Sequence, residues 1–133
     1  MLTTPVLQLL DAAFFVFHTL VIIINLTGWI LPRTRKLHLI VLGATGFSWF
    51  GLGPLLGYPL GYCLCTDWHW RIRQRLGIVD QGGYVELLFK MAGLPISGET
   101  AATLAYGAFG GALLATLIVQ IIGVARRRRS AIA

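Results

Sequence analysis

Charge is scarce in this sequence, and acidic charge is scarcest. Of 133 residues five are Asp or Glu and eleven are Lys or Arg, so charged side chains make up 12%. An average soluble domain carries roughly 25%. So few cannot cover the high surface-to-volume ratio of a small soluble domain, which excludes a soluble enzyme. Two cysteines, Cys63 and Cys65, are too few for a disulfide-built miniprotein. There is no nucleotide-binding glycine loop, no nucleophile elbow, no HExxH signature and no catalytic carboxylate pair. A non-enzyme is therefore the expectation.

What is present is apolar. Hydrophobic residues make up 56% of the chain, and the mean hydropathy is +0.76. Three runs, about 7–31, 37–60 and 99–125, are long enough for helices crossing a hydrocarbon core that needs roughly 20 residues. The expected fold is all-α and integral to the membrane: three spans in one domain, plus one or two short interfacial helices. The first run has neither a preceding basic residue nor a cleavage site after it, so it reads as a retained anchor and not a signal peptide. Pro54 in the second run predicts a kink or unwinding in its outer half. Ser97 predicts the cap of the third, with Glu99 in its first turn.

Between the second and third runs, 63–98 is too charged to span. Thr66 or Asp67 could cap a short helix there, in which Trp68 and Trp70 alternate with Arg71 and Arg73. The tryptophans favour a segment lying in the membrane interface over the strand that alternation alone would give. Gly82 and Gly83 then lead into a second short helix, interfacial or re-entrant, over 84–93.

The net charge of +6 would point to nucleic acid in a soluble protein. Here its positions point to topology: Arg33, Arg35 and Lys36 follow the first span, and Arg126, Arg127, Arg128 and Arg129 end the third. With the amino terminus outside, these seven face the cytoplasm and four (Arg71, Arg73, Arg75, Lys90) lie outside, which favours a periplasmic amino terminus and a cytoplasmic carboxyl terminus. Trp29, Trp68 and Trp70 join the terminal arginines as interface anchors. The partners expected are other membrane subunits and lipids, not nucleic acid.

Asp11, His18 and Asn25 recur every seven residues and so share one face of the first helix. Polar groups inside a span are costly and point at protein or water. They form either a hydrogen-bonding seam between helices or a functional path, with His18 as a candidate pigment or haem ligand. No histidine pairs with His18 at equal depth on a facing helix, because His38 reads as cytoplasmic-edge and His69 as beyond the opposite edge. Phe14 stands where light-harvesting polypeptides carry alanine four residues before the ligand. Cys63, Cys65 and His69 resemble a fragment of a metal site, one ligand short of structural zinc, and pack as rim residues otherwise. No dedicated cofactor motif is present, so pigment and lipid contacts are the open options. Gly107, Gly111 and Ala115 form a small-residue stripe that lets another helix approach closely.

The stretch GYCLCTDW, followed by RLG, GGYVELLFKMAGLP and a final span ending in arginines, resembles the domain-of-unknown-function 2784 family of small bacterial inner-membrane proteins. The likeness takes in the histidine-bearing first helix as well. The family more often has Cys-Pro-Leu-Thr where this chain has Cys63-Leu64-Cys65-Thr66, and an acid near the position of His69. The resemblance implies a fold and a compartment; the family has no assigned activity. On function, the composition favours a non-catalytic accessory subunit of a larger membrane complex, respiratory or photosynthetic. The alternative is a small transporter or a redox or cofactor-binding protein that uses the polar face of the first helix.

Overall fold

The computed structural model describes residues 3–79 and 82–132. Among them every regular element is a helix: α1 (Thr4–Thr27), α2 (Arg35–Leu55), α3 (Leu64–Arg75), α4 (Tyr84–Met91) and α5 (Gly98–Ile132). Helices α1, α2 and α5 are the three that are long and apolar enough to cross a membrane. The chain is a membrane protein.

Pro5 opens α1, where a missing N–H costs nothing. The helix ends at Thr27, four residues before the sequence expectation, and α2 crowds its cap residue Gly28. A Cβ on Gly28 would lie 2.7 Å from the Cβ of His38 in α2, so only glycine lets the two helices come this close. A seven-residue connection, 28–34, then reverses the chain.

The break foreseen at Pro54 takes a definite form. Residues Ser48–Leu52 widen into a π-helical turn, and the helix ends at Leu55 instead of running to residue 60. In that wider register Pro54 would have to donate to the Trp49 carbonyl, and proline has no N–H to give. The Gly61 N–H takes that acceptor instead, at 3.2 Å. Gly61 has φ +80°, and a side chain there would collide with the Tyr106 ring of α5. Tyr106 thus covers the backbone at Gly61, while residues 54–57, 59 and 60 stay exposed. Phe109 and Tyr106 of α5 close the contact by packing on Trp49 with ring centroids 5.2 and 5.7 Å apart.

The intervening segment departs most from expectation. Cys63, not Thr66 or Asp67, occupies the cap position of α3. The helix is one of the short helices expected of this polar stretch. It folds back against the first half of α1, burying Thr66, His69 and Trp70. Trp70 is therefore no interface anchor: it is 8% exposed, donates its indole N–H to the Gly82 carbonyl at 2.6 Å, and lies under the Arg73 guanidinium. Trp68 is exposed and Trp29 half-buried, so both remain able to meet lipid headgroups. α4 buries Tyr84 and Leu87 against α1 and α5.

Ser97 caps α5 as its sequence predicts, accepting the Thr100 N–H at 3.2 Å. The helix continues through the four arginines to Ile132, beyond the expected end near 125, since arginine is itself a good helix former. Because α1 and α5 run parallel, Arg126–Arg129 extend past the same end of the bundle that carries Arg33, Arg35 and Lys36. Ala101, Ala112 and Thr116 form the buried face of α5. Gly107 and Gly111 lie on its outer face, where an added Cβ would meet nothing within 4 Å, and Ala115 is half-buried. Among the described residues, nothing packs on Gly107 or Gly111.

Candidate functional site

The seven-residue spacing in α1 does align Asp11, His18 and Asn25, and each turns to a different neighbour. Nearest the amino-terminal end, Asp11 accepts from His69 Nε2 at 2.8 Å and from Arg73 at 3.3 Å, both on α3. One level down, His18 Nε2 meets the Thr66 hydroxyl at 3.3 Å. The Tyr84 ring stacks on the His18 imidazole, with centroids 4.3 Å apart. Tyr84 itself donates to the Phe15 carbonyl at 2.6 Å and touches the Thr19 hydroxyl at 2.9 Å. Next, Asn25 donates to Thr45 of α2 at 3.0 Å.

At the far end the ladder closes on His38, which is fully buried. Its Nδ1–H donates to the Ile24 carbonyl at 2.9 Å, and its Nε2 lies 2.7 Å from the Thr116 hydroxyl oxygen. That tautomer follows from the partners, because a carbonyl can only accept. One side chain ties α1, α2 and α5 together. The sequence placed His38 at the cytoplasmic edge, and nothing in its neighbours signalled a role; nor did anything signal Tyr84, Thr66 or Thr116.

The separation expected between His69 and His18 is corrected. His69 is not far from His18, because α3 returns it to α1. Both imidazoles flank the Tyr84 ring, His69 at a centroid distance of 6.1 Å. Phe14 stacks on His69 at 5.8 Å, filling the space that an alanine would leave beside a pigment. Tyr84 and Thr66 lie against His18 from α4 and α3. The metal candidates also separate: His69 turns to Asp11, away from Cys63 and Cys65. Among the described residues, no three His, Cys, Asp or Glu side chains converge on a point where a metal ion could be held.

The His69–Asp11 contact is at ion-pair distance, yet burial pushes His69 below its ordinary range more strongly than the Asp11 carboxylate raises it. Desolvation wins because the imidazole side chain is only 2% exposed. The contact is then a neutral N–H donated to a carboxylate, and Arg73 supplies the positive charge. The consequence for stability has a definite sign. A histidine whose folded value is depressed takes up protons more readily once α3 detaches, so stability is lost as pH falls through the detached value of about 6.5. Thermal unfolding in detergent should drop between about pH 7 and 5. His69→Gln, which keeps a donor and cannot titrate, should flatten that drop. An equally steep drop in His69→Gln would assign it to another group.

A family model described as Protein of Unknown function (DUF2784) matches residues 8–123. The chain belongs to the DUF2784 family. The match begins in α1, takes in all four levels of the polar ladder and ends in the apolar part of α5. In this DUF2784 protein only the arginine extension of α5 and the first turn of α1 lie outside it. No curated protein and no solved structure matches the chain.

Proposed function

We propose that this protein is a non-catalytic helix-bundle subunit of a larger assembly in the bacterial inner membrane, of a respiratory or photosynthetic kind. In that reading the amino terminus, α3 and α4 face outside and the arginine extension faces the cytoplasm. The observation that carries it is how the intramembrane polar groups are spent. Asp11, His18, Asn25 and His38 bond to side chains of neighbouring helices, as interhelical fastenings do in lipid. In this reading they hold the bundle together and line no route.

What the bundle offers to others is its outer surface. Gly107 and Gly111 leave a flat strip on α5 where a second helix could approach to van der Waals distance. Gly111→Ile should insert and fold normally, because no neighbour in the chain is disturbed. It should weaken a contact with another subunit by about 1–3 kcal/mol, as overpacking does. The check is native electrophoresis of wild type and variant solubilised in mild detergent. A shift of the variant alone to the size of the free chain supports the proposal, and equal migration in the large complex removes α5 as its contact.

A further inference from the structure

One end of the bundle, formed by the 28–34 connection, the start of α2 and the tail of α5, carries seven cations: Arg33, Arg35, Lys36 and Arg126–Arg129. The described acidic residues all lie in the other half, Asp11 early in α1, Asp67 in α3, Glu86 in α4 and Glu99 in the first turn of α5. Among the described residues, none of the seven cations forms an ion pair. Their counter-charge comes from outside the fold. One of them is held in place. Arg35 is half-buried, and its Nε–H donates to the Trp29 carbonyl at 3.1 Å. That bond orients the guanidinium, while its two terminal nitrogens have no partner among the described residues. Arg35 lines a shallow, open cleft between the connection, α2 and α5.

The cleft joins a polar mouth to an apolar wall. His38 and Thr116 touch at 2.7 Å and mark its floor. Helices α2 and α5 run antiparallel, so Arg35, three residues before His38, and Gln120, four after Thr116, stand at one height. That height is about 5–6 Å nearer the end of the bundle. Trp29, Leu39 and Val119 supply the apolar wall. Three residues further in along α5 from Thr116 and Gln120, Leu113 and Leu117 are exposed on the same side. Beyond Gln120 the tail of α5 rises about 9–14 Å to its arginines. Four consecutive residues spread over about 300° of a helix, so these cations point to every side. All four are exposed. Helical side chains also lean toward the helix amino terminus, which here means back toward the cleft. A protein surface or a nucleic-acid groove would meet one side of that ring, whereas a layer of lipid headgroups meets all of it.

We propose that this cleft binds one anionic phospholipid, with the phosphate on Arg35 and an acyl chain along Leu39, Val119 and the exposed leucines of α5. The two terminal nitrogens of Arg35 donate to phosphate oxygens in the paired geometry that guanidinium favours, and the Gln120 amide can add a third donor. Trp29 contributes its ring alone, because its indole N–H is already given to the Leu26 carbonyl at 2.8 Å. The surrounding cations select for net charge: a zwitterionic headgroup carries its own ammonium and gains little from them. A free phosphate would satisfy Arg35 but leave the apolar wall in water.

The test is native mass spectrometry of the full chain in mild detergent, titrated with dioleoyl phosphatidylglycerol or dioleoyl phosphatidylcholine. Wild type should retain one phosphatidylglycerol at concentrations where phosphatidylcholine is lost, and excess glycerol 3-phosphate should not displace it. Arg35→Gln should weaken retention roughly tenfold, the scale of one hydrogen-bonded charge contact. Gln120→Glu should weaken it as much by placing a carboxylate at the mouth. Residue 120 is exposed, so this variant folds whatever Arg35→Gln does to the Trp29 contact. Arg75→Gln, at the opposite end, should bind like wild type. Equal retention of the two lipids, wild-type retention by Gln120→Glu, or displacement by glycerol 3-phosphate would overturn the proposal. So would a bound polypeptide, in place of lipid, that Gln120→Glu releases. The readout is the mass of a bound lipid, so its failure leaves the assembly role untouched.

Discussion

His38→Ala is expected to be the most damaging single substitution, lowering stability by about 3 kcal/mol. That figure combines a cavity left by a fully buried ring with the loss of two interhelical hydrogen bonds worth about 0.6–1.7 kcal/mol each in a membrane setting. His38 reaches Ile24 on α1 and Thr116 on α5 from its own position on α2, so no neighbour can relax into its place without uncoupling two helix pairs. His38→Gln can keep one of the two bonds and fills part of the volume, and should cost about half as much. Thermal unfolding in detergent measures both. A loss under about 1 kcal/mol for the alanine variant would mean that the three-helix junction does not depend on this residue.

Asp11→Ala should act elsewhere and differently. It leaves the His69 N–H and the Arg73 guanidinium without their shared acceptor. Removing one partner of a buried charge pair costs roughly 3–5 kcal/mol; Asp11 retains 25% exposure, so about 2 kcal/mol is expected after screening. The loss should be local. Hydrogen exchange should quicken across 64–75 as α3 lifts from α1, while α5 keeps its protection. Asp11→Asn should retain the bond from His69 and lose the negative charge opposite Arg73, giving an intermediate result. Unchanged exchange over 64–75 in Asp11→Ala would show that Thr66, Trp70 and Tyr84 hold α3 without the carboxylate.

The elements legible in the sequence were those written in local pattern. Apolar runs of sufficient length gave the spans, Ser97 its cap, Pro54 its break, and a period of seven the shared face of Asp11, His18 and Asn25. The hydrogen-bond partners of that face were not legible, because they come from residues 20 to 62 positions away. Trp70 read as an interface anchor by residue type, but burial was decided by α3 folding back onto α1. The direction of the Gly107–Gly111 strip could not be read either, since α5 is apolar almost all round and its pattern does not mark which side meets α1. Thr66 and His18 are 48 residues apart, and only the return of α3 brings the hydroxyl to the imidazole.

Native mass spectrometry of the chain released from its own membrane in mild detergent tests the subunit role most directly. The expected result is a stoichiometric complex containing at least one different polypeptide, which falls apart for Gly111→Ile while the released chain keeps its wild-type unfolding temperature. A folded chain recovered quantitatively by itself, at wild-type stability and with no other polypeptide, would contradict it.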